Sequence, residues 1–176
     1  KTLLNYEEGN VWIGTYGKGL FKYQLKGKKR YSYFDKLKDK DSVSYNDINV
    51  LFLDLKKNLW VGTNTGGLYR YEKENDSFIQ ISKNNGFVDL RGKSVFTITE
   101  LASGELCLGT NIGLGIYDAK QNTVVNISME PNSEGLSISN NTVSSLMLLN
   151  NDLWIGTSGG GVNKLDLESN KITFYN

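Results

Sequence analysis

Polar side chains with the chemistry of a sugar-binding site recur between the apolar segments of this chain. Amides, hydroxyls and cations can orient a sugar by hydrogen bonds, and an aromatic ring can stack on it. The candidate ligand-binding residues are Tyr16, Lys18, Tyr45, Asn46, Asn64, Arg91, Asn111, Asn140 and Ser158. Asparagine and serine are also standard turn-forming residues, so a role in a turn or in contact with solvent is the alternative at each position.

The residue types that catalysis commonly needs are missing or scattered. The chain has no histidine, which excludes Ser-His-Asp and Cys-His arrangements and removes the most common metal ligand. Its carboxylates lie mainly in expected turns. The segment Asp39-Lys40-Asp41 lacks the glycine and the distal glutamate of a calcium-binding EF-hand loop. We therefore expect no catalytic residue, no metal site and no cofactor.

Charge and composition narrow the range of partners. Lysine and arginine number 20 against 19 acidic residues, a net charge of +1, so no basic field favours direct contact with nucleic acid. The single cysteine, Cys107, cannot form an internal disulfide and carries no information on the redox compartment. No apolar segment reaches the roughly 18 residues of a spanning helix. No signal peptide opens the chain, so any export signal or membrane anchor is expected outside this segment.

One short phrase occurs four times and organises the whole chain. Its copies are Val-Trp-Ile-Gly-Thr at 11–15, Leu-Trp-Val-Gly-Thr at 59–63, Leu-Cys-Leu-Gly-Thr at 106–110 and Leu-Trp-Ile-Gly-Thr at 153–157. The copies lie about 47 residues apart, and such a regular period is typical of repeat architectures. In these architectures each unit leaves an apolar face that its neighbour covers.

Each repeat unit contains four short apolar or alternating segments separated by turn residues, which is a pattern of strands. The predicted units are residues 1–46, 47–93, 94–141 and 142–176. In the first two units the predicted strands are 2–6, 10–15, 20–24, 30–34, 48–54, 59–63, 68–71 and 77–81. In the last two they are 95–101, 105–110, 114–118, 123–127, 143–149, 152–157, 162–167 and 171–175. The predicted fold is all-β, with about four β-propeller blades of four antiparallel strands each.

The phrase itself is predicted to be structural. Trp12, Trp60 and Trp154 should fill the wedge between neighbouring sheets, and Cys107 should be a small buried substitute in the third unit. The glycine that follows in each copy should admit a close neighbouring backbone. Three tyrosines that recur at one phase of the repeat are also expected to pack in the interior, and these are Tyr23, Tyr71 and Tyr117.

The segments 59–71 and 153–162 resemble the two-component regulator propeller repeat, and the resemblance extends over the whole chain. It implies a periplasmic sensor region of a Bacteroidetes-type hybrid two-component system. Such regions contain two seven-bladed propellers, followed by a β-sandwich, a membrane span, and kinase, receiver and DNA-binding modules. The present chain has about four blades and none of those modules. It also lacks the strand overlap that closes many propellers, so it is expected to be a segment of a larger, seven-bladed propeller. The alternative is a complete four-bladed ring.

The leading functional hypothesis is therefore a non-catalytic sensor segment in the extracytoplasmic part of an inner-membrane protein. It would contribute to recognition of a glycan-derived ligand and to signalling toward a histidine kinase. The expected partners are an oligosaccharide, the remaining blades and modules of the parent chain, and a second copy in a homodimer. One alternative is a protein-interaction or structural scaffold. Another is a lyase or glycosidase, and a glycosidase would need paired carboxylates.

Overall fold

The chain forms antiparallel β-sheets throughout the part that can be described. A computed structural model describes residues 2–7, 9–33, 47–81 and 89–175. These ranges contain strands β1 to β16 and no helix, hence none there that is long and apolar enough to cross a membrane. The strands form four four-stranded sheets, in which each strand pairs with the next one along the chain.

The four sheets follow one another in the sequence. The first consists of β1 (Thr2–Tyr6), β2 (Asn10–Gly14), β3 (Leu20–Gln24) and β4 (Lys29–Ser32). The second consists of β5 (Ile48–Leu53), β6 (Leu59–Thr63), β7 (Leu68–Glu72) and β8 (Ser77–Gln80). The third consists of β9 (Val95–Glu100), β10 (Leu106–Thr110), β11 (Gly113–Asp118) and β12 (Thr123–Ile127). The fourth consists of β13 (Val143–Leu149), β14 (Asp152–Thr157), β15 (Val162–Asp166) and β16 (Lys171–Tyr175). Every predicted strand is present, and the ends differ by one or two residues at most.

The described chain divides into two compact units, each with its own core. The first contains β1 to β8 together with Leu90–Val95, and the second contains β10 to β16 with β9 from Phe96 onward. The strands β6 and β10, which carry the second and third copies of the repeated phrase, are buried along their whole length. The neighbouring strands β5, β7, β9 and β11 each combine buried with half-buried positions.

In the first unit, Trp12 fills the space between the first two sheets as predicted. Its side chain is 0% exposed, and its ring centroid lies 4.7 Å from that of Tyr33 and 5.1 Å from that of Tyr71. Leu20 on β3 and Val61 on β6 belong to the same core. A tryptophan therefore holds this pair of sheets together through ring contacts as well as through burial.

In the second unit, Cys107 occupies the equivalent position in a core of aliphatic residues. Cys107 is buried with Leu114 of its own sheet and with Ile155 of the fourth sheet, as predicted for a small apolar substitute. Burial raises the pKa of its thiol to about 12. The following Gly109 is also needed, because a Cβ there would lie only 2.8 Å from the carbonyl oxygen of Val143.

The prediction that all three tryptophans fill a wedge between sheets is wrong for Trp154 within the second unit. Its neighbours Leu153 and Ile155 point into the core, so the alternation of the strand turns Trp154 to the other face. There it is half-buried, and its ring centroid lies 5.5 Å from that of Tyr175. Trp60, in contrast, is buried, and its Nε1 donates a hydrogen bond to Asp54 Oδ2 at 2.9 Å.

The recurrent tyrosines also differ from one another. Tyr71 and Tyr117 are buried as predicted, and their hydroxyls donate to Asp76 and Asn122 respectively. Tyr23 is only half-buried, because it lies on the face of the first sheet opposite to Trp12. A residue's phase in the repeat thus fixes its face, whereas its burial depends on what covers that face.

Replacing Cys107 with tryptophan, the residue at this position in the other three copies of the phrase, should destabilise the protein. The Cys107→Trp variant inserts a large ring into a filled aliphatic core, and overpacking of this kind costs about 1–3 kcal/mol. We expect the free energy of unfolding, measured by urea denaturation, to fall by that amount. The Cys107→Ala variant is the control and should lose less. A Cys107→Trp variant as stable as the natural chain would contradict the packing described here.

Candidate functional site

The predicted site residues lie in the turns and connections at the ends of strands. Tyr45 and Asn46 fall outside the described residues. The others divide between the two units, with Tyr16, Lys18, Asn64 and Arg91 in the first and Asn111, Asn140 and Ser158 in the second. Each unit is therefore a separate candidate surface.

In the first unit, Asp47 joins the hairpin between β2 and β3 to the hairpin between β6 and β7. The Gly17 amide donates to Asp47 Oδ1 at 2.5 Å, and the Asn64 amide donates to the Asp47 carbonyl at 2.9 Å. Asp47 is buried, so its carboxylate is committed to holding the hairpin. Sequence reasoning did not include Asp47 in the binding set, although an acidic residue just before a strand is a common turn-capping signal.

Asn64 is also tied to the connection that carries Arg91. The Ser94 hydroxyl donates to the Asn64 carbonyl and lies 3.4 Å from Asn64 Oδ1, and the Gly67 amide donates to the Lys93 carbonyl at 2.9 Å. These bonds hold the β6–β7 hairpin against the connection 90–94. The structure therefore brings Asn64 close to the segment that includes the exposed Arg91.

Tyr16 and Lys18 flank Gly17 on the β2–β3 hairpin and face solvent. The Tyr16 side chain is 69% exposed. Because Gly17 is anchored to Asp47, the hairpin presents this ring from a fixed backbone. An exposed ring beside cationic and amide groups can stack on a sugar and orient its hydroxyls.

In the second unit, Asn140 and Ser158 are brought together through Thr142. Asn140 Oδ1 accepts a hydrogen bond from the Thr142 amide at 2.8 Å, and the Ser158 amide donates to the Thr142 carbonyl at 2.9 Å. The Asn140 side-chain oxygen thus has the structural turn role that was the alternative to binding. Asn111 and Ser158 are exposed at their hairpins.

Sequence reasoning missed a cleft in the first unit. It is a cleft of about 530 Å³ at the opposite ends of the strands from the predicted residues. Its lining residues are Tyr6, Glu7, Lys56, Lys57, Asn58, Leu59, Arg70, Tyr71, Glu72, Lys73 and Glu74. The charges partly neutralise each other, since Lys73 pairs with Glu7 at 2.6 Å and Arg70 with Glu72 at 2.9 Å. The sequence feature that could have indicated this cleft is the run of charged residues in the turns after β5 and β7.

The hydroxyls of two buried tyrosines near this cleft are held by one carboxylate. The hydroxyls of Tyr33 and Tyr71 both donate to Asp76 Oδ1, at 2.8 and 2.7 Å. Burial, reinforced by the Asp76 carboxylate, raises the pKa of both phenols well above the usual value. Both phenols are therefore protonated at neutral pH. In the same ranges of the chain, no group of three or more histidine, cysteine or acidic residues could hold a metal ion.

Comparisons with known proteins give the fold. No family model matches the chain, and no curated protein matches it. Among solved structures, it is similar to the extracellular domain of BT4673, described as a hybrid two-component system of B. thetaiotaomicron. The identity is 21%, the TM-score is 0.78, and the match covers 98% of this chain and 24% of that one.

Two further solved structures are similar over most of this chain. The extracellular domain of BT3049, described as another hybrid two-component system of B. thetaiotaomicron, has 24% identity and a TM-score of 0.72, with 93% of this chain and 19% of that chain covered. The virginiamycin B lyase of Staphylococcus aureus has 17% identity and a TM-score of 0.68, with 98% and 54% covered. The four sheets are therefore β-propeller blades, as the repeat predicted. The chain spans about a fifth to a quarter of the two extracellular domains.

Proposed function

We propose that this chain is a non-catalytic, extracytoplasmic sensor segment of a hybrid two-component system. The observation that carries the proposal is the similarity of nearly the whole chain to extracellular domains of two such systems. The repeated phrase supports the same assignment, because it resembles the two-component regulator propeller repeat. The parent polypeptide would place this segment in the periplasm and a histidine kinase beyond the membrane.

The ligand in this proposal is derived from a glycan and binds at the hairpin ends. Support comes from the first unit, where Tyr16 is exposed on a hairpin that Asp47 anchors, and where Asn64 is held beside the connection of Arg91. Binding would favour one of two arrangements of a homodimer. The ligand can shift that equilibrium only by its difference in affinity for the two arrangements.

The chemistry of the chain argues against an enzyme. A solved form of the virginiamycin B lyase in which a histidine is replaced by alanine is described as catalytically inactive. The present chain contains no histidine at all, so it cannot supply an equivalent group. Among the described residues, Glu7 and Glu72 of the cleft pair with Lys73 and Arg70, whereas a glycosidase needs two carboxyl groups that flank the scissile bond.

A protein-interaction or structural scaffold is the second candidate. The observation that favours it is the apolar surface of the fourth sheet, where Met147, Leu149 and Tyr175 are each about half exposed. Contiguous exposed apolar surfaces of this kind can mark sites of contact with another protein.

The sensor proposal predicts binding that depends on Tyr16. In calorimetric titrations with a panel of glycan fragments, at least one fragment should bind, and Tyr16→Ala should weaken its binding about tenfold. That factor corresponds to the loss of about 1.4 kcal/mol, within the range for a ring contact. The Tyr31→Ala variant is the matched control, since Tyr31 is a partly exposed tyrosine on β4 of the same unit. Its affinity should not change.

Two results would contradict this proposal. Absence of binding to every fragment, by this chain and by the parent ectodomain, would count against a glycan ligand. Equal losses in Tyr16→Ala and Tyr31→Ala would place the ligand away from the β2–β3 hairpin. Capture of another protein domain together with no glycan binding would favour the scaffold.

A further inference from the structure

The cleft of the first unit contains an excess of positive charge that the described residues do not neutralise. Two ion pairs account for four of its seven charged side chains. The remaining three are Lys56, Lys57 and Glu74, and none of them has an ion-pair or hydrogen-bond partner through its side chain within the described ranges. The cleft therefore carries two uncommitted cations against one uncommitted carboxylate.

Asp54, the acidic residue nearest to these lysines in the sequence, is already used within the turn that carries them. Its buried carboxylate accepts hydrogen bonds from the Asn58 amide and from Asn58 Nδ2, both at 2.7 Å, and from Trp60 Nε1 at 2.9 Å. The Lys57 amide donates to the Asp54 carbonyl at 2.9 Å. These bonds close the β5–β6 turn, so Lys56 and Lys57 extend from a fixed backbone.

Tyr6 contributes a hydroxyl without a hydrogen-bond partner to the same cleft. The residue is only 5% exposed, and its ring packs edge-on against the rings of Trp12 and Tyr71. Its Oη is bonded to none of the described residues. Among those residues, only the Nε1 atoms of Trp12 and Trp154 are both unpartnered and out of contact with solvent. The Tyr6 Oη therefore opens onto the cleft that this residue lines.

This set of groups has the chemistry to bind an anion. Burial, and to a lesser extent the charge of Glu7, raise the pKa of the Tyr6 phenol, so at neutral pH its hydroxyl is a donor. The lysine ammonium groups are donors only, and hydrogen bonds from such donors are strongest when the acceptor is charged. A metal ion is disfavoured, because in the described part of the chain no three histidine, cysteine or acidic residues come together. An apolar ligand would leave the polar groups unpaired.

We propose that this cleft binds a small hydrophilic molecule through a phosphate or carboxylate group, which accepts hydrogen bonds from Tyr6 Oη and from the ammonium groups of Lys56 and Lys57. The cleft volume of about 530 Å³ lies within the range of small-molecule sites. The cleft is at the opposite ends of the strands from the hairpin that carries Tyr16. It is therefore a second site, and it does not depend on the glycan ligand proposed above.

Titrations of this chain with inorganic phosphate and with succinate, at constant ionic strength, test the inference. Binding is followed by two-dimensional amide NMR, and the two anions distinguish a phosphate site from a carboxylate site. At least one anion should bind saturably with a Kd of about 1 mM or tighter, with shifts at the amides of the β5–β6 turn. The double variant Lys56→Gln, Lys57→Gln should weaken that binding about tenfold, because it removes two cations that act on the anion together.

The Tyr6→Phe variant separates a binding role of the hydroxyl from the packing of the ring. It keeps the ring contacts with Trp12 and Tyr71 and removes only a hydroxyl that has no partner in the described part of the protein. The free energy of unfolding in urea should therefore be unchanged, whereas the affinity for the anion should fall about tenfold. Lys26→Gln is the matched control for the lysines, since Lys26 is exposed on the β3–β4 turn of the same unit but does not line the cleft. It should change the affinity less than about twofold.

Three results would overturn the inference. The first is the absence of saturable binding of both anions. The second is a Tyr6→Phe variant that binds as tightly as the natural chain or that loses stability, which would show that the hydroxyl is outside the site or bonded within the protein. The third is an equal loss of affinity in Lys26→Gln and in the double lysine variant, which would indicate general attraction of anions to surface lysines. Because the titrations need no glycan and no kinase, anion binding together with absent glycan binding would support this inference and contradict only the proposed function.

Discussion

Trp12→Ala is expected to lower the free energy of unfolding by about 3–5 kcal/mol, the range for removal of a large buried aromatic side chain. The indole is completely buried between the first two sheets. It contacts the rings of Tyr33 and Tyr71 at centroid distances of 4.7 and 5.1 Å, and that of Phe78 at 5.7 Å. These rings are themselves fixed, since both tyrosine hydroxyls are bonded to Asp76. The core therefore cannot collapse into the space that the indole leaves.

Trp154→Ala is the matched control, because it changes the same residue at the same position of the repeat. Trp154 is only half-buried and packs mainly on Tyr175. Its removal should cost less than about 2 kcal/mol, since less apolar area returns to water and no enclosed cavity forms. Urea unfolding followed by far-ultraviolet circular dichroism measures both variants without relying on tryptophan fluorescence. Equal losses would show that Trp154 is as well enclosed as Trp12.

The contrast between these tryptophans shows how far the sequence alone can predict the fold. The strands were predictable because turn residues punctuate short alternating segments, and the strand alternation fixed which side chains share a face. Whether a face is covered depends on the neighbouring sheet, and no local pattern carries that information. The phrase therefore predicts an equivalent position for Trp12, Cys107 and Trp154, while their environments are aromatic, aliphatic and half-exposed respectively.

The candidate site was less predictable than the fold. Polar residues in hairpins were identified from their types, but their geometry depends on contacts between segments distant in sequence, such as Gly17 with Asp47 and Asn64 with Ser94. For Asn140 the structure shows a turn-forming hydrogen bond, which a single sequence cannot distinguish from a binding role. The cleft beside Tyr6 and Tyr71 is lined by three segments that are separated in the sequence, and no sequence motif marks them.

The second large loss of stability is expected for a substitution at Gly67, where the β6–β7 hairpin contacts the connection that carries Arg91. Gly67 has a φ of +74°, and a Cβ there would collide with the carbonyl oxygen of Leu90 and lie 2.9 Å from its carbonyl carbon. These are backbone atoms and cannot rotate away. The Gly67 amide also donates to the Lys93 carbonyl at 2.9 Å. Gly67→Ala should therefore lower the free energy of unfolding by about 3 kcal/mol, of which about 1–2 kcal/mol reflects the left-handed backbone.

The Gly17→Ala variant separates the cost of the left-handed backbone from the cost of the collision with Leu90. Gly17 has nearly the same backbone, with a φ of +72°, but an added Cβ would have no neighbour within 4 Å. This variant should lose only the conformational part, about 1–2 kcal/mol. The difference between the two variants in urea unfolding then measures the close approach of the hairpin to Leu90. An equal loss of unfolding free energy in the two variants would mean that the connection of Leu90 and Arg91 moves away from the added Cβ at little cost. Arg91 and Asn64 would then not be held in a fixed relation. A ligand surface built on these two residues requires the larger loss at Gly67.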